Sequence, residues 1–122
     1  MALAKLGVVV LDCPDPGALA GFYAEVLGGT VEGDGKGDWV DLTVPGGQAM
    51  AFQRAEGHTA PQWPRADSNG QQFHLDLTVA DLDAAQEGVL KLGARLLDAG
   101  EPSRTWRVYA DPAGHPFCLC AG

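Results

Sequence analysis

The sequence predicts an α+β fold in which one small unit, a strand, then a helix, then about three strands, is used twice within a single domain spanning residues 1–122. Three observations carry this reading. Apolar runs stop at a helix cap in LGVVVLDCPDP and again in FHLDLTVADLDAA; short alternating strands bounded by Gly and Pro follow; and matching pieces recur at offsets of 65 to 67 residues. Asp15 answers Asp81, LGG at 27–29 answers LGA at 92–94, Trp39 answers Trp106, and PGGQAMAF at 45–52 answers PAGHPFCL at 112–119. A chain of 122 residues buries roughly two-thirds of its unfolded surface, which supports one core and no second domain.

The first unit covers residues 1–54. Its apolar run ends at Asp15-Pro16, a capping side chain followed by proline at the first helical position. Leu19, Phe22, Tyr23, Val26 and Leu27 then recur at helical spacing, and Gly28-Gly29 close the helix. EGDGKGD reads as a hairpin region before strand WVDLTV, a Pro45-Gly46-Gly47 turn and strand QAMAFQ. The second unit, residues 71–122, opens with QQFHLDLTV as a strand over 71–79. Asp81 caps its helix, with Leu82, Ala85, Val89 and Leu92 as the apolar stripe before Gly93. Residues 55–70 join the units as a Pro/Gly/Asn-rich connector without periodicity. Two such units imply helices on one face of antiparallel sheet.

Composition excludes several function classes. Sixteen acidic against eight basic residues leave a formal charge of −8, whose field repels phosphate backbones and anionic lipid, so neither nucleic acid nor membrane is an expected partner. No apolar run approaches a membrane span, and Leu6 to Leu11 is too short for a signal-peptide core; a cytoplasmic location is expected. Three cysteines make no disulfide framework. Cys118 and Cys120, two apart on one strand and so about 6.6 Å apart, sit near the limit of disulfide geometry, so reduced thiols are expected. Phosphate-loop, dinucleotide, serine-hydrolase and zinc-protease motifs are missing from the sequence.

Strand alternation sorts the side chains by face. Leu75, Leu77 and Val79 oppose His74, Asp76 and Thr78; Val40, Leu42 and Val44 oppose Trp39, Asp41 and Thr43; Phe117 and Leu119 oppose Cys118 and Cys120. The apolar face packs on the helices. The mixed face is either a solvated surface or the wall of a cup, and Val8, Val10, Trp39 and Cys118 upon it argue for the cup. His74 and Asp76 are the candidate acid/base pair, about 6.6 Å apart along the strand and able to share a polar ligand between them. Trp39, Trp63 and Trp106, with Asp41, Gln53 and Cys118, are the candidate ligand-binding residues, since flat apolar rings beside a few polar groups suit an aromatic or heterocyclic ligand.

DCPDPGALAGFYAEVLGG in the first half, and HLDLTVADLDAA and DPAGHPFCL in the second, together resemble the vicinal oxygen chelate superfamily, and within it the glyoxalase-like proteins. The similarity spans nearly the whole chain. It implies two βαβββ modules whose curved sheets form a cup over a substrate or metal, a frequent homodimer, and relatives ranging from glyoxalase I lyases and ring-cleaving dioxygenases to bleomycin-resistance proteins. Such enzymes hold a divalent ion through one residue near the start of each first strand and one in each last strand. On this chain those positions fall on His74 and Cys118 in the second half, and on Val8 and Ala51 (or Gln53) in the first. Only His74 is a standard ligand, whereas a metal site needs about three suitable donors; a non-standard site would have to use His74, Asp76 and Cys118. The expectation is therefore a small-molecule-binding protein without cofactor or resident metal. The alternative is a metal-dependent lyase, isomerase or dioxygenase using His74 as ligand or acid/base.

Overall fold

The computed structural model describes residues 2–64 and 69–122. They form two compact units, Met1–His58 and Thr59–Gly122. Each unit is a βαβββ module with one four-stranded sheet and one helix.

The first unit runs β1 (Val9–Cys13), α1 (Pro16–Leu27), β2 (Thr30–Val31), β3 (Trp39–Thr43) and β4 (Met50–Arg54), with sheet order β1-β4-β3-β2. The sheet is mixed where an antiparallel one was expected: β4 pairs antiparallel with β3 but parallel with β1. The helix is the cause. It carries the chain back across the sheet, so β1 and β2 point the same way, and the β2-β3-β4 meander then delivers β4 beside β1 in parallel. Asp15 caps α1, its Oδ1 accepting from the Ala18 amide at 3.2 Å, and Gly28 ends it at φ 70°. Leu19, Ala20, Phe22 and Tyr23 are buried as α1 packs on β3 and β4. Tyr23 stacks on Phe52 with ring centroids 5.8 Å apart, and Phe22 meets Tyr23 edge-on at 4.9 Å.

The second unit repeats the plan with β5 (Leu75–Val79), α2 (Leu82–Lys91), β6 (Arg95–Asp98), β7 (Trp106–Ala110) and β8 (Pro116–Ala121) in the order β5-β8-β7-β6, and β5 is again parallel to β8. The strand expected over 71–79 begins only at Leu75. Asp81 caps α2 through the Ala84 amide at 3.1 Å. Gln86 Oε1 on α2 accepts from Tyr109 Oη at 2.7 Å and Arg107 at 3.1 Å, which fixes the odd residues of β7 toward the helix. Tyr109 stacks on Phe117 at 5.5 Å on that same side. Val89 is buried, whereas Leu92, expected on the apolar stripe, is exposed past the helix end.

The connector is divided between the units. Its residues 65–68 lie outside the described residues, while Asn69 Nδ2 donates to the carbonyls of Thr59 and Ala60, both at 3.1 Å. In the DPAGH turn the buried Asp111 carboxylate accepts from the amides of Ala113 (2.9 Å) and His115 (3.0 Å), so this part of the motif shapes a turn. No helix among the described residues is long and apolar enough to cross a membrane.

Candidate functional site

The side chains singled out in the sequence fall into two groups, one on each unit, both on the sheet face turned away from the helix. In the first unit Trp39 lies opposite Gln53 across β3 and β4, and Trp39 Nε1 donates to Asp41 Oδ1 at 3.0 Å. All three are exposed.

The second unit gathers the denser group. Asp76 lies opposite Cys118 in the β5–β8 ladder, and Trp106 opposite Cys120 in the β7–β8 ladder. His74 stands one residue before β5, and its Nε2 lies 3.0 Å from Asp76 Oδ1. The two side chains pair directly, with no ligand between them. Backbones two residues apart on a strand are about 6.6 Å apart, but side chains on one face lean across that gap. Trp63, from the connector, lies flat on the His74 ring with centroids 4.5 Å apart and planes at 23°. Trp106 is covered on one face by the Arg104 guanidinium, 3.8 Å from the ring centroid, and Arg104 is itself held by Asp98 at 3.4 Å.

The floor of this face is sheltered and its rim open. Cys118 is 3 % exposed and Val108 fully buried, while Trp106 is 39 % exposed. Burial pushes the Cys118 thiol up to about 12, helped by the Asp76 charge and by a hydrogen bond to that carboxylate. Cys120 moves the same way, by burial first and Asp76 next. Asp76 therefore pairs with the imidazole and sets a negative charge near both thiols. No disulfide joins the three cysteines.

Two participants escaped the sequence reading. Gln71 Nε2 lies 3.2 Å from His74 Nδ1. Strict alternation over 71–79 would put Gln71 and His74 on opposite faces; because the strand starts only at Leu75, the segment before it is free to bring Gln71 back to the imidazole. Cys120 was legible, since it shares a face with Cys118 by simple parity.

The repeat makes the group one-sided. Val10 lies opposite Ala51 in the first unit as Asp76 lies opposite Cys118 in the second, and Val8 precedes β1 as His74 precedes β5. At the first-unit positions where the resemblance implies ion ligands, Val8 and Ala51 carry no side-chain donor atoms, and Gln53, the alternative to Ala51, is exposed opposite Trp39. What the second unit offers instead is a trio, His74, Asp76 and Cys118, whose ligand-type atoms all lie within 4.8 Å of one another.

Residues 8–120 match the Glyoxalase-like domain family, and the chain belongs to that family. Among solved structures it is similar to a glyoxalase/bleomycin resistance protein/dioxygenase family enzyme from Burkholderia phytofirmans, at TM-score 0.74 and 20 % identity, covering 97 % of this chain and 98 % of that one. The fosfomycin resistance protein FosX from Listeria monocytogenes matches at TM-score 0.72 and 13 % identity, covering 99 % and 95 %. A possible glyoxalase from Bacillus cereus matches at TM-score 0.70 and 13 % identity, covering 98 % and 99 %. No curated protein sequence matches the chain. Identities this low show the fold and leave the chemistry to the residues.

Proposed function

We propose that this glyoxalase-like domain binds a small organic molecule against the helix-free face of its second unit, without a resident metal, and that flat aromatic or cationic ligands suit it best. The observation that carries the reading is the cluster of the paired His74 and Asp76 with Cys118, floored by buried side chains and flanked by Trp63 and Trp106. Asp76 supplies a carboxylate with 63 % of its side chain exposed, the indoles supply flat apolar surface, and a formal charge of −8 draws cations in. Trp39, Asp41 and Gln53 form a second, smaller patch of similar chemistry on the first unit. A cytoplasmic location and a homodimer belong to the same proposal.

The competing reading is a metal-dependent lyase, isomerase or dioxygenase with His74 as ligand or acid/base, and the 4.8 Å trio is the observation in its favour. Thermal shift separates the two. A ligand at a hundred times its Kd stabilises by about 2.7 kcal/mol. A panel of aromatic amines, N-heterocyclic cations and divalent ions is expected to give shifts with the organic cations that are lost in Asp76→Ala. Shifts with the ions alone would overturn the proposal.

A further inference from the structure

The His74 imidazole has partners on both nitrogens, and their chemistry gives the pair a direction. An amide nitrogen only donates, so Gln71 Nε2, 3.2 Å from Nδ1, requires that nitrogen to be the acceptor. In the neutral ring the proton then resides on Nε2, which donates to Asp76 Oδ1 at 3.0 Å. Trp63, stacked on the ring, opposes its turning over. The cost of this arrangement is visible: Gln71 Oε1 is buried without a partner among the described residues. Reversing the amide would put an amino group, two donors in place of one acceptor, into that same spot, and stranded donors are rarer than under-satisfied carbonyls.

A histidine that binds a cation needs the opposite arrangement. Its ligating nitrogen offers a lone pair while the other ring nitrogen carries a proton and donates it to a carboxylate or carbonyl. Here the other nitrogen faces a donor. We infer that Gln71 is a metal-excluding positioning residue: by donating to Nδ1 it holds His74 in the Nε2–H form, and so turns a proton, not the imidazole lone pair, toward Asp76 and Cys118 and leaves the trio without its histidine ligand for a cation. The inference rests on the metal-free reading above and supplies its cause.

Long-range ¹H–¹⁵N NMR of the histidine rings, with and without zinc, tests it in the full chain. Wild-type His74 is expected as the Nε2–H tautomer, unchanged by stoichiometric zinc. Gln71→Glu supplies an acceptor for Nδ1–H and is expected to show His74 protonated on Nδ1 and, by calorimetry, zinc affinity at least tenfold above wild type, the scale on which such outer partners act. Gln71→Leu, which removes the donor without adding an acceptor, should fall between. Zinc affinities equal in all three proteins, or a wild-type ring protonated on Nδ1, would overturn the inference and leave organic-ligand binding standing. Tight zinc binding by wild type through His74 Nε2 would overturn the metal-free reading itself. Should Gln71→Glu fail to fold, the wild-type tautomer and Gln71→Leu still decide.

Discussion

Burial, with the Asp76 charge nearby, makes the Cys118 and Cys120 thiols poor nucleophiles. A thiolate forming beside that carboxylate would be both desolvated and repelled, and the Cys118 thiol is pushed from an ordinary value of 9.0 up to about 12. Three units correspond to roughly a thousandfold less thiolate at pH 8 than an unperturbed cysteine has. Iodoacetamide at pH 8 should therefore leave Cys118 almost untouched over times that label a free cysteine fully. Asp76→Asn, which removes the charge but not the burial, should speed labelling in part, since burial is the larger cause; prompt modification of the wild-type thiol would count against this placement. His74 and Asp76 were legible in the sequence because a strand with one apolar face has no structural need of them on the other. Gln71 was not, because its role depends on where the strand begins, and strand boundaries are weakly encoded in a polar stretch such as Gly70 to Gln72.

At the scale of elements, the helices were legible because their ends are written in side-chain chemistry. Asp15 and Asp81 cap as expected, and Gly28 takes the left-handed conformation that closes α1. The parallel pairing of β1 with β4 was not legible from alternation, which records faces and says nothing of direction. Two glycines in α1 separate local propensity from packing. A Cβ on Gly21 meets nothing within 4 Å, whereas one on Gly17 would run into the carbonyl oxygen of Gly35, in the glycine-rich hairpin between β2 and β3. Gly21→Ala should raise stability to urea by roughly 0.5–1 kcal/mol, the helix-propensity difference alone. Gly17→Ala should lower it by about 1–3 kcal/mol, because backbone on backbone has no flexible end to give way. Equal effects of the two substitutions would show that α1 does not lie against that hairpin.

For the whole molecule, the repeat duplicates architecture but not chemistry. Val8, Val10 and Ala51 keep the first unit's sheet apolar at the positions where His74, Asp76 and Cys118 make the second polar. One consequence concerns alkaline pH. Tyr109, Cys118 and Cys120 all lie in the second unit, and burial raises each of them above its ordinary value. A raised pKa means that the folded state keeps a proton the unfolded chain releases, so the stability contribution is whole below the unfolded value and falls as pH rises toward the folded one. For Cys118 that window runs from 9.0 to about 12. Within it each such group removes up to about 1.4 kcal/mol per pH unit. Urea unfolding followed from pH 8 to 10.5 should show the second unit, reported by Trp63 and Trp106, weakening before the first, reported by Trp39 in single-tryptophan variants. Cys118→Ala should flatten the second unit's profile by the share of that one proton. If both units lost stability in step with pH, the buried thiol and phenol would not be the groups responsible, and the asymmetry drawn from the two sheet faces would have no thermodynamic counterpart.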